Sequence, residues 1–300
     1  MTSDSFSKKT VQQGFTLAEL LVVIAVIGLL SSIIFTIASG AREQGQIAKG
    51  LYFSQHLQNS LGSYATGIWN FDEGSGNVVN DTSGWENNGS LVNSPTWRCA
   101  TADPNHTPSG QGCSLEFNGS SQYINAGNDN SLNMASITVE AWVKTFVSPP
   151  IDWSTIAAKG YQSANNHFWL MYRNGYFGLE YGNGTSRTTA SHTITPRQDT
   201  WYHIVGTYAN GSGYVYVNGV RGAERTAISG DLGTNTYILT MGRASYTPNY
   251  YWNGLIDEVH IYSTALTSAQ IQSQYYAGLK KLLAKNLITE QEYQHTNSVW

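Results

Sequence analysis

From Phe15 to Ile37 the chain is almost unbroken in apolar residues, FTLAELLVVIAVIGLLSSIIFTI, behind a polar leader carrying Lys8 and Lys9. As a helix rising about 1.5 Å per residue this run reaches roughly 35 Å, enough to cross a bilayer core of roughly 30 Å. Glu19 sits near its start, and the Leu, Val, Ile and Phe content that follows outweighs that one carboxylate at roughly −0.3 to −0.6 kcal/mol per residue. Beyond Ile37 the sequence turns polar but keeps a stripe at helical spacing, Ile47, Leu51, Leu57, Leu61 and Tyr64. The pattern predicts one helix over 15–64, with 15–37 as its membrane-spanning part. Gly40, Gly45 and Gly50 each weaken it by about 1 kcal/mol relative to alanine, so a linker without fixed packing stays open for its second half.

From Ile68 the period changes to two. IWNF (68–71), SLEF (114–117), ITVEAWVK (137–144), HFWLMY (167–172), YFGLEY (176–181), WYHIVGTY (201–208), GYVYVNG (213–219), YILTMG (237–242) and GLIDEVHIY (254–262) are short runs bounded by Gly, Asn, Asp and Ser, which predicts an all-β sandwich or jelly roll. The segment LKKLLAKNLITEQEYQ then predicts a helical tail over 278–300, with a break at Asn286 and a second turn capped by Thr289 and Glu292.

Alternation sorts the strand residues into two sets. Val139, Ala141, Val143, Phe168, Leu170, Phe177, Leu179, Val215 and Val217 are uniformly apolar and form the predicted core. Glu140, Trp142, His167, Trp169, Tyr176, Glu180, Tyr214 and Tyr216 form a mixed set. Aromatic rings beside hydrogen-bonding groups suit sugars, which offer an apolar C–H face and a polar edge. Glycan binding on a concave face is one reading; a structural face or protein contacts are the others.

Composition agrees with a β-rich extracellular protein: charged residues are 12%, about half the usual share, against 19 Tyr, 9 Trp and 30 Gly. The formal charge is −4 and no basic stripe occurs, so nothing points to nucleic acid. Cys99 and Cys113 would close a ring of about 15 residues worth roughly 3 kcal/mol, and an export segment upstream favours the disulfide. His106 alone does not make a zinc site there.

Two resemblances add to this reading. Gly14, Phe15 and an acid five positions after the glycine, Glu19, at the head of the apolar run resemble a type IV prepilin N-terminus. The likeness implies that a prepilin peptidase cuts between Gly14 and Phe15, leaving 1–14 as a leader, that Phe15 is N-methylated, and that Glu19 guides subunit assembly. A carboxylate in an apolar filament core needs a partner, and the amine of a neighbouring subunit's Phe15 supplies one. An ordinary signal peptide, cleaved after Ala38-Ser39-Gly40, is the alternative, but its apolar core is shorter and carries no acid. The phrases WNFDEGSG, SLEFNGSSQYIN, WYHIVGTY with YVYVNG, and GLIDEVHIYSTALTSAQIQSQY are similar to the concanavalin A-like, laminin G-like jelly roll. That likeness places one such domain at 66–277.

The second likeness implies a structural calcium ion held by Asp72, Asp257 and the Gly119 carbonyl, with Asp81 as an alternate ligand. Glycanases of this fold take their acids from a Glu-x-Asp-x-Glu strand. Here the strand reads TVEAWVKT, with Trp142 in place of the second acid, and only Glu140 with Glu180 remains as a pair from different strands. The expectation is therefore a non-enzymatic bacterial subunit: mainly β, with a pilin-type N-terminal helix, a single inner-membrane pass before assembly, and then a place on a surface pilus. Its expected partners are other pilin subunits, the peptidase, and a glycan or neighbouring-cell ligand on the head. A type II secretion pseudopilin, and a secreted carbohydrate-binding protein or glycan hydrolase, are the alternatives.

Overall fold

The computed structural model describes residues 61–284, apart from 161–166, 227 and 247–248, together with Leu17, Leu20, Leu21, Val22 and Ile24. Those five are helical and exposed, Leu17 at 80%. The expected leader 1–14 with Gly14, the remainder of the expected helix up to residue 60, including Phe15 and Glu19, and the tail beyond Ala284 lie outside the described residues. Among the described residues no helix is long and apolar enough to cross a membrane. The chain divides into two compact units, Met1–Tyr52 and Phe53–Trp300.

The second unit holds the strands β1 (Ala65–Trp69), β2 (Val78–Val79), β3 (Gly89–Val92), β4 (Thr96–Cys99), β5 (Cys113–Asn118), β6 (Tyr123–Asn125), β7 (Ile137–Thr145), β8 (Ser154–Lys159), β9 (Phe168–Arg173), β10 (Tyr176–Gly182), β11 (Arg187–Thr193), β12 (Trp201–Ala209), β13 (Ser212–Val217), β14 (Val220–Arg221), β15 (Arg225–Thr226), β16 (Leu239–Met241) and β17 (Asn253–Tyr262), followed by helix α1 (Ser268–Ala284). They form two antiparallel sheets. The nine-stranded sheet runs β14-β13-β12-β7-β17-β5-β4, with β1 paired to β17 and β15 to β13; the eight-stranded sheet runs β11-β10-β9-β8-β16-β6-β3-β2. This is the expected jelly-roll-like sandwich.

All nine residues of the predicted core set lie in one buried cluster between the sheets, none more than 4% exposed. At roughly 1.5–3 kcal/mol for each large apolar side chain taken from water, this layer dominates the favourable side of folding. The disulfide forms between Cys99 and Cys113, which face each other in the β4–β5 register.

Helix α1 begins with a capping box: Gln270 N donates to Thr267 Oγ1 at 3.3 Å, and Thr267 N donates back to Gln270 Oε1 at 2.8 Å. Ile271, Tyr275 and Leu279 recur every four residues and are buried, so one stripe of the helix packs on the nine-stranded sheet. Gly278 permits the approach, because a Cβ there would sit 2.6 Å from Trp142 Cζ2. The helix therefore runs through residue 277, where the sequence placed the end of the domain. Alternation stops at Tyr262, but the helix that follows is bound to the sheet by its own apolar stripe.

Candidate functional site

With the apolar set turned inward, the mixed set must point out, and it does so from two different sheets. Glu140 and Trp142 on β7 and Tyr214 and Tyr216 on β13 belong to the nine-stranded sheet; Trp169 on β9 and Tyr176 and Glu180 on β10, with His167 just before β9, belong to the eight-stranded one. The expected single binding face is thus divided between opposite sides of the sandwich. Alternation reports which side of its own strand a residue occupies, not which sheet that strand joins.

On the nine-stranded sheet, Glu140 is 2% exposed and sits among polar rings. His260 Nδ1 lies 2.8 Å from Oε1, His203 Nε2 is 3.6 Å from Oε2, and the Tyr262 hydroxyl approaches Oε1 at 3.5 Å. A bulge arranges this: Trp142 pairs with Asp257 and Glu140 with His260, so one extra residue on β17 turns both partners outward. Burial pushes the Glu140 carboxyl up, but the hydrogen bonds and charges of His203 and His260 overcome that and hold it at about 2. Trp142 stacks on Tyr275 at 5.8 Å, and Tyr216 reaches Ser268 at 3.0 Å. Helix α1 thereby covers this face, leaving a cavity of about 70 Å³ beside Glu140 lined also by Trp142, His203, Tyr262 and Gln274. Tyr214 is half-buried, with Arg221 5.0 Å from its ring centroid.

The eight-stranded sheet carries a different arrangement. Trp169 is 1% exposed, its Nε1 donating to Thr155 Oγ1 at 2.8 Å. Trp153 stacks on it at 5.0 Å, Tyr250 lies 5.6 Å away, and Tyr246 meets it edge-on at 5.9 Å. These three rings are half-buried, so they form the outer surface of the cluster. The Arg173 guanidinium lies 3.6 Å from the Trp153 ring centroid. Next to them Glu180 pairs in register with Trp169 and Thr189. Its carboxylate meets His167 at 3.0 Å, Thr189 at 3.5 Å, and Arg173 and Arg187 at 4.0 Å. Tyr176 shares this face, its ring lying over Gly178, where a Cβ would come within 2.9 Å. Four residues expected to share a site, His167, Trp169, Tyr176 and Glu180, are brought together here. Trp153, Tyr246, Tyr250 and Arg173 were missed: the first three lie in loops, without periodicity, and only the aromatic density of YTPNYYW marks that stretch.

Glu140 and Glu180 lie on the outer faces of different sheets and cannot flank one glycosidic bond. The acids expected at calcium are engaged by protein donors. Asp81 accepts from Ile68 N, Ser83 N and Oγ, and Asn87 N at 2.8–2.9 Å. Asp72 accepts from Cys113 N at 3.3 Å and Asp257 from Glu258 N at 2.8 Å, while Gly119, in a left-handed turn at φ +71°, packs against Asn253. Among the described residues no group of three or more His, Cys, Asp or Glu side chains is placed to hold a metal ion. Asp81, with four protein donors on its two oxygens, has its acceptor positions taken and does not fit as a calcium ligand.

Residues 9–35 match the prokaryotic N-terminal methylation motif, and residues 118–272 match the concanavalin A-like lectin/glucanases superfamily. No curated protein matches the chain. Among solved structures, domain 4 of AbnA, a GH43 extracellular arabinanase from Geobacillus stearothermophilus in complex with arabinotriose, is similar over 70% of this chain and 97% of that one, at 20% identity and a TM-score of 0.56. The binding domain of Paraclostridial Mosquitocidal Protein 1 is similar over 72% of this chain and 53% of that one (13% identity, TM-score 0.54). A structure of botulinum neurotoxin type C, whose cell entry depends on interaction with two ganglioside molecules, is similar over 74% and 53% (11% identity, TM-score 0.57). The chain thus spans about half the length of these two toxin chains, and at such identities the likeness is one of fold.

Proposed function

Because the chain belongs to the concanavalin A-like lectin/glucanases superfamily and carries a prokaryotic N-terminal methylation motif, we propose that it is a type IV pilin-like subunit whose head binds glycan at a surface. The observation that carries the binding half is the cluster of Trp153, Trp169, Tyr246 and Tyr250, with Arg173 and the Glu180 network at its edge. Half-buried rings offer a sugar its apolar platform, and the partly exposed Arg173 and Arg187, set in place by the buried Glu180 carboxylate, offer hydrogen bonds to hydroxyls. Helix α1 covers the Trp142 part of the other sheet, so of the two aromatic groupings this one is the one left open. The structure of the AbnA domain with arabinotriose supports an oligosaccharide as the ligand class. Turnover is not part of the reading, since Glu140 and Glu180 do not form a pair.

The assembly half rests on Gly14, Phe15 and Glu19. Processing leaves Phe15 as the mature N-terminus, and Glu19 acts between subunits. The test of the whole is twofold. The full-length chain in detergent is applied to an oligosaccharide array, where Trp153→Ala or Tyr250→Ala is expected to weaken binding at least tenfold; a blank array removes the lectin reading. Glu19→Ala is expected to leave the protein inserted but abolish filaments, and intact filaments would count against Glu19 in assembly. Recovery of the chain only with a secretion apparatus, never in surface filaments, would assign it to a pseudopilus instead.

A further inference from the structure

A second cleft opens on the outer face of the nine-stranded sheet, where β5, β7 and β17 meet the loop closed by the disulfide. Leu115, Phe117 and Val143 fill the core, so Glu116 and Lys144 point outward, and the register sets both opposite Leu255. Arg98, Asp103, His106 and Asp199 complete the rim around about 680 Å³, a volume typical of small-ligand sites.

The wall is held in place. Asp103 Oδ1 accepts from Asn105 N at 2.8 Å, and the Asn105 carbonyl accepts from both Lys144 Nζ and Trp201 Nε1. The Lys144 ammonium also lies 5.3 Å from the Trp201 ring centroid. Together with Cys99–Cys113 these contacts tie the loop to the sheet. Lys144 is 6% exposed; burial lowers its affinity for a proton while Asp199 and Asp103 pull it back up. Arg98 Nε meets Glu116 Oε2 at 2.6 Å, and among the described residues the terminal guanidinium nitrogens and the second Glu116 oxygen have no hydrogen-bond partner. The rim thus interleaves donors and acceptors. With two cations against three carboxylates it does not favour a polyanion.

We propose that this cleft is a second saccharide site, taking a neutral sugar whose vicinal hydroxyls donate to Glu116 and Asp199 and accept from Arg98 and Lys144, with Phe146, which also lines the cleft, against a C–H face. The inference deepens the glycan reading and rests on it for the class of ligand, but shares no residue with the aromatic face.

The test is calorimetry on the full-length chain in detergent with arabinotriose, xylotriose and cellotriose. In a Trp153→Ala background at least one of these is expected to bind still, and Arg98→Ala or Asp199→Asn is expected to weaken that binding at least tenfold. Asp199 is an exposed loop residue, so D199N keeps the test free of misfolding, and thermal melts check R98A. Binding in the Trp153→Ala background that is absent, or indifferent to both cleft variants, overturns the cleft. Wild-type binding abolished by Trp153→Ala alone leaves the aromatic face standing. A wild type that binds none of the three overturns both sites, and binding of galacturonic acid trimer in their place overturns the neutral class.

Discussion

Replacing Glu140 by glutamine preserves shape and removes the charge around which His203, His260 and Tyr262 are gathered. The carboxyl titrates near 2 in the folded chain against 4.5 for the free group. At about 1.4 kcal/mol per unit the difference corresponds to about 3 kcal/mol of stability. That figure is an upper one, because His203 stands at 3.6 Å and contributes charge rather than a full hydrogen bond. The sign follows from a depressed acid: the contribution is fully present above about pH 5 and disappears as the pH falls from there toward 2, where the folded carboxylate must also take a proton. Urea unfolding of the unit Phe53–Trp300, followed by tryptophan fluorescence at pH 5, 3.5 and 2.5, measures it. The stability gap between wild type and Glu140→Gln is expected to be widest at pH 5 and to shrink by about 2 kcal/mol at pH 2.5, other carboxylates cancelling in the comparison. A gap that stays constant with pH would refute the account.

Trp142→Ala is expected to cost about 3–5 kcal/mol and to raise hydrogen exchange across α1, since Tyr275 and Leu279 lose the ring they pack on; unchanged protection of 268–284 would contradict the packing. Cys99→Ser with Cys113→Ser is expected to lower stability by roughly 3 kcal/mol and to weaken any ligand of the Arg98–Asp199 cleft while sparing the Trp153 face. Millimolar calcium is expected to leave the melting temperature unchanged, because protein donors engage the carboxylates of Asp72, Asp81 and Asp257; a rise that Asp257→Asn abolishes would restore a bound cation.

Much of this architecture is legible in the order of residues. The apolar positions of TVEAWVK, FWL, FGL and YVYV name the core because a residue on a two-sided strand has only one apolar side to choose. Eight strands escaped notice for opposite reasons: STIAAK is buried throughout and shows no alternation, while VV, VR and RT are too short to show any. The candidate site was half legible. His167, Trp169, Tyr176 and Glu180 share a face as expected, yet Glu140 and Trp142 joined them on paper only because pairing between distant strands leaves no local trace. The helix over Trp142 was equally hidden, since its stripe of Ile271, Tyr275 and Leu279 says that something is covered without saying what.

The pairing of the first strand with the last has a mechanical meaning. Tension applied to the N-terminal end of β1 is met at Tyr64 and Ala65, where Ser263 N donates to the Tyr64 carbonyl and β1 is registered to β17 from Ala65↔Tyr262 to Trp69↔Val259. A pull along the strand axis loads those bonds in shear, together rather than one after another. β17 is itself flanked by β7 and β5, so the force spreads into the middle of the sheet and bypasses its edges. A sheet built this way meets a pull on its first strand with several bonds loaded at once and does not begin to unravel from that end.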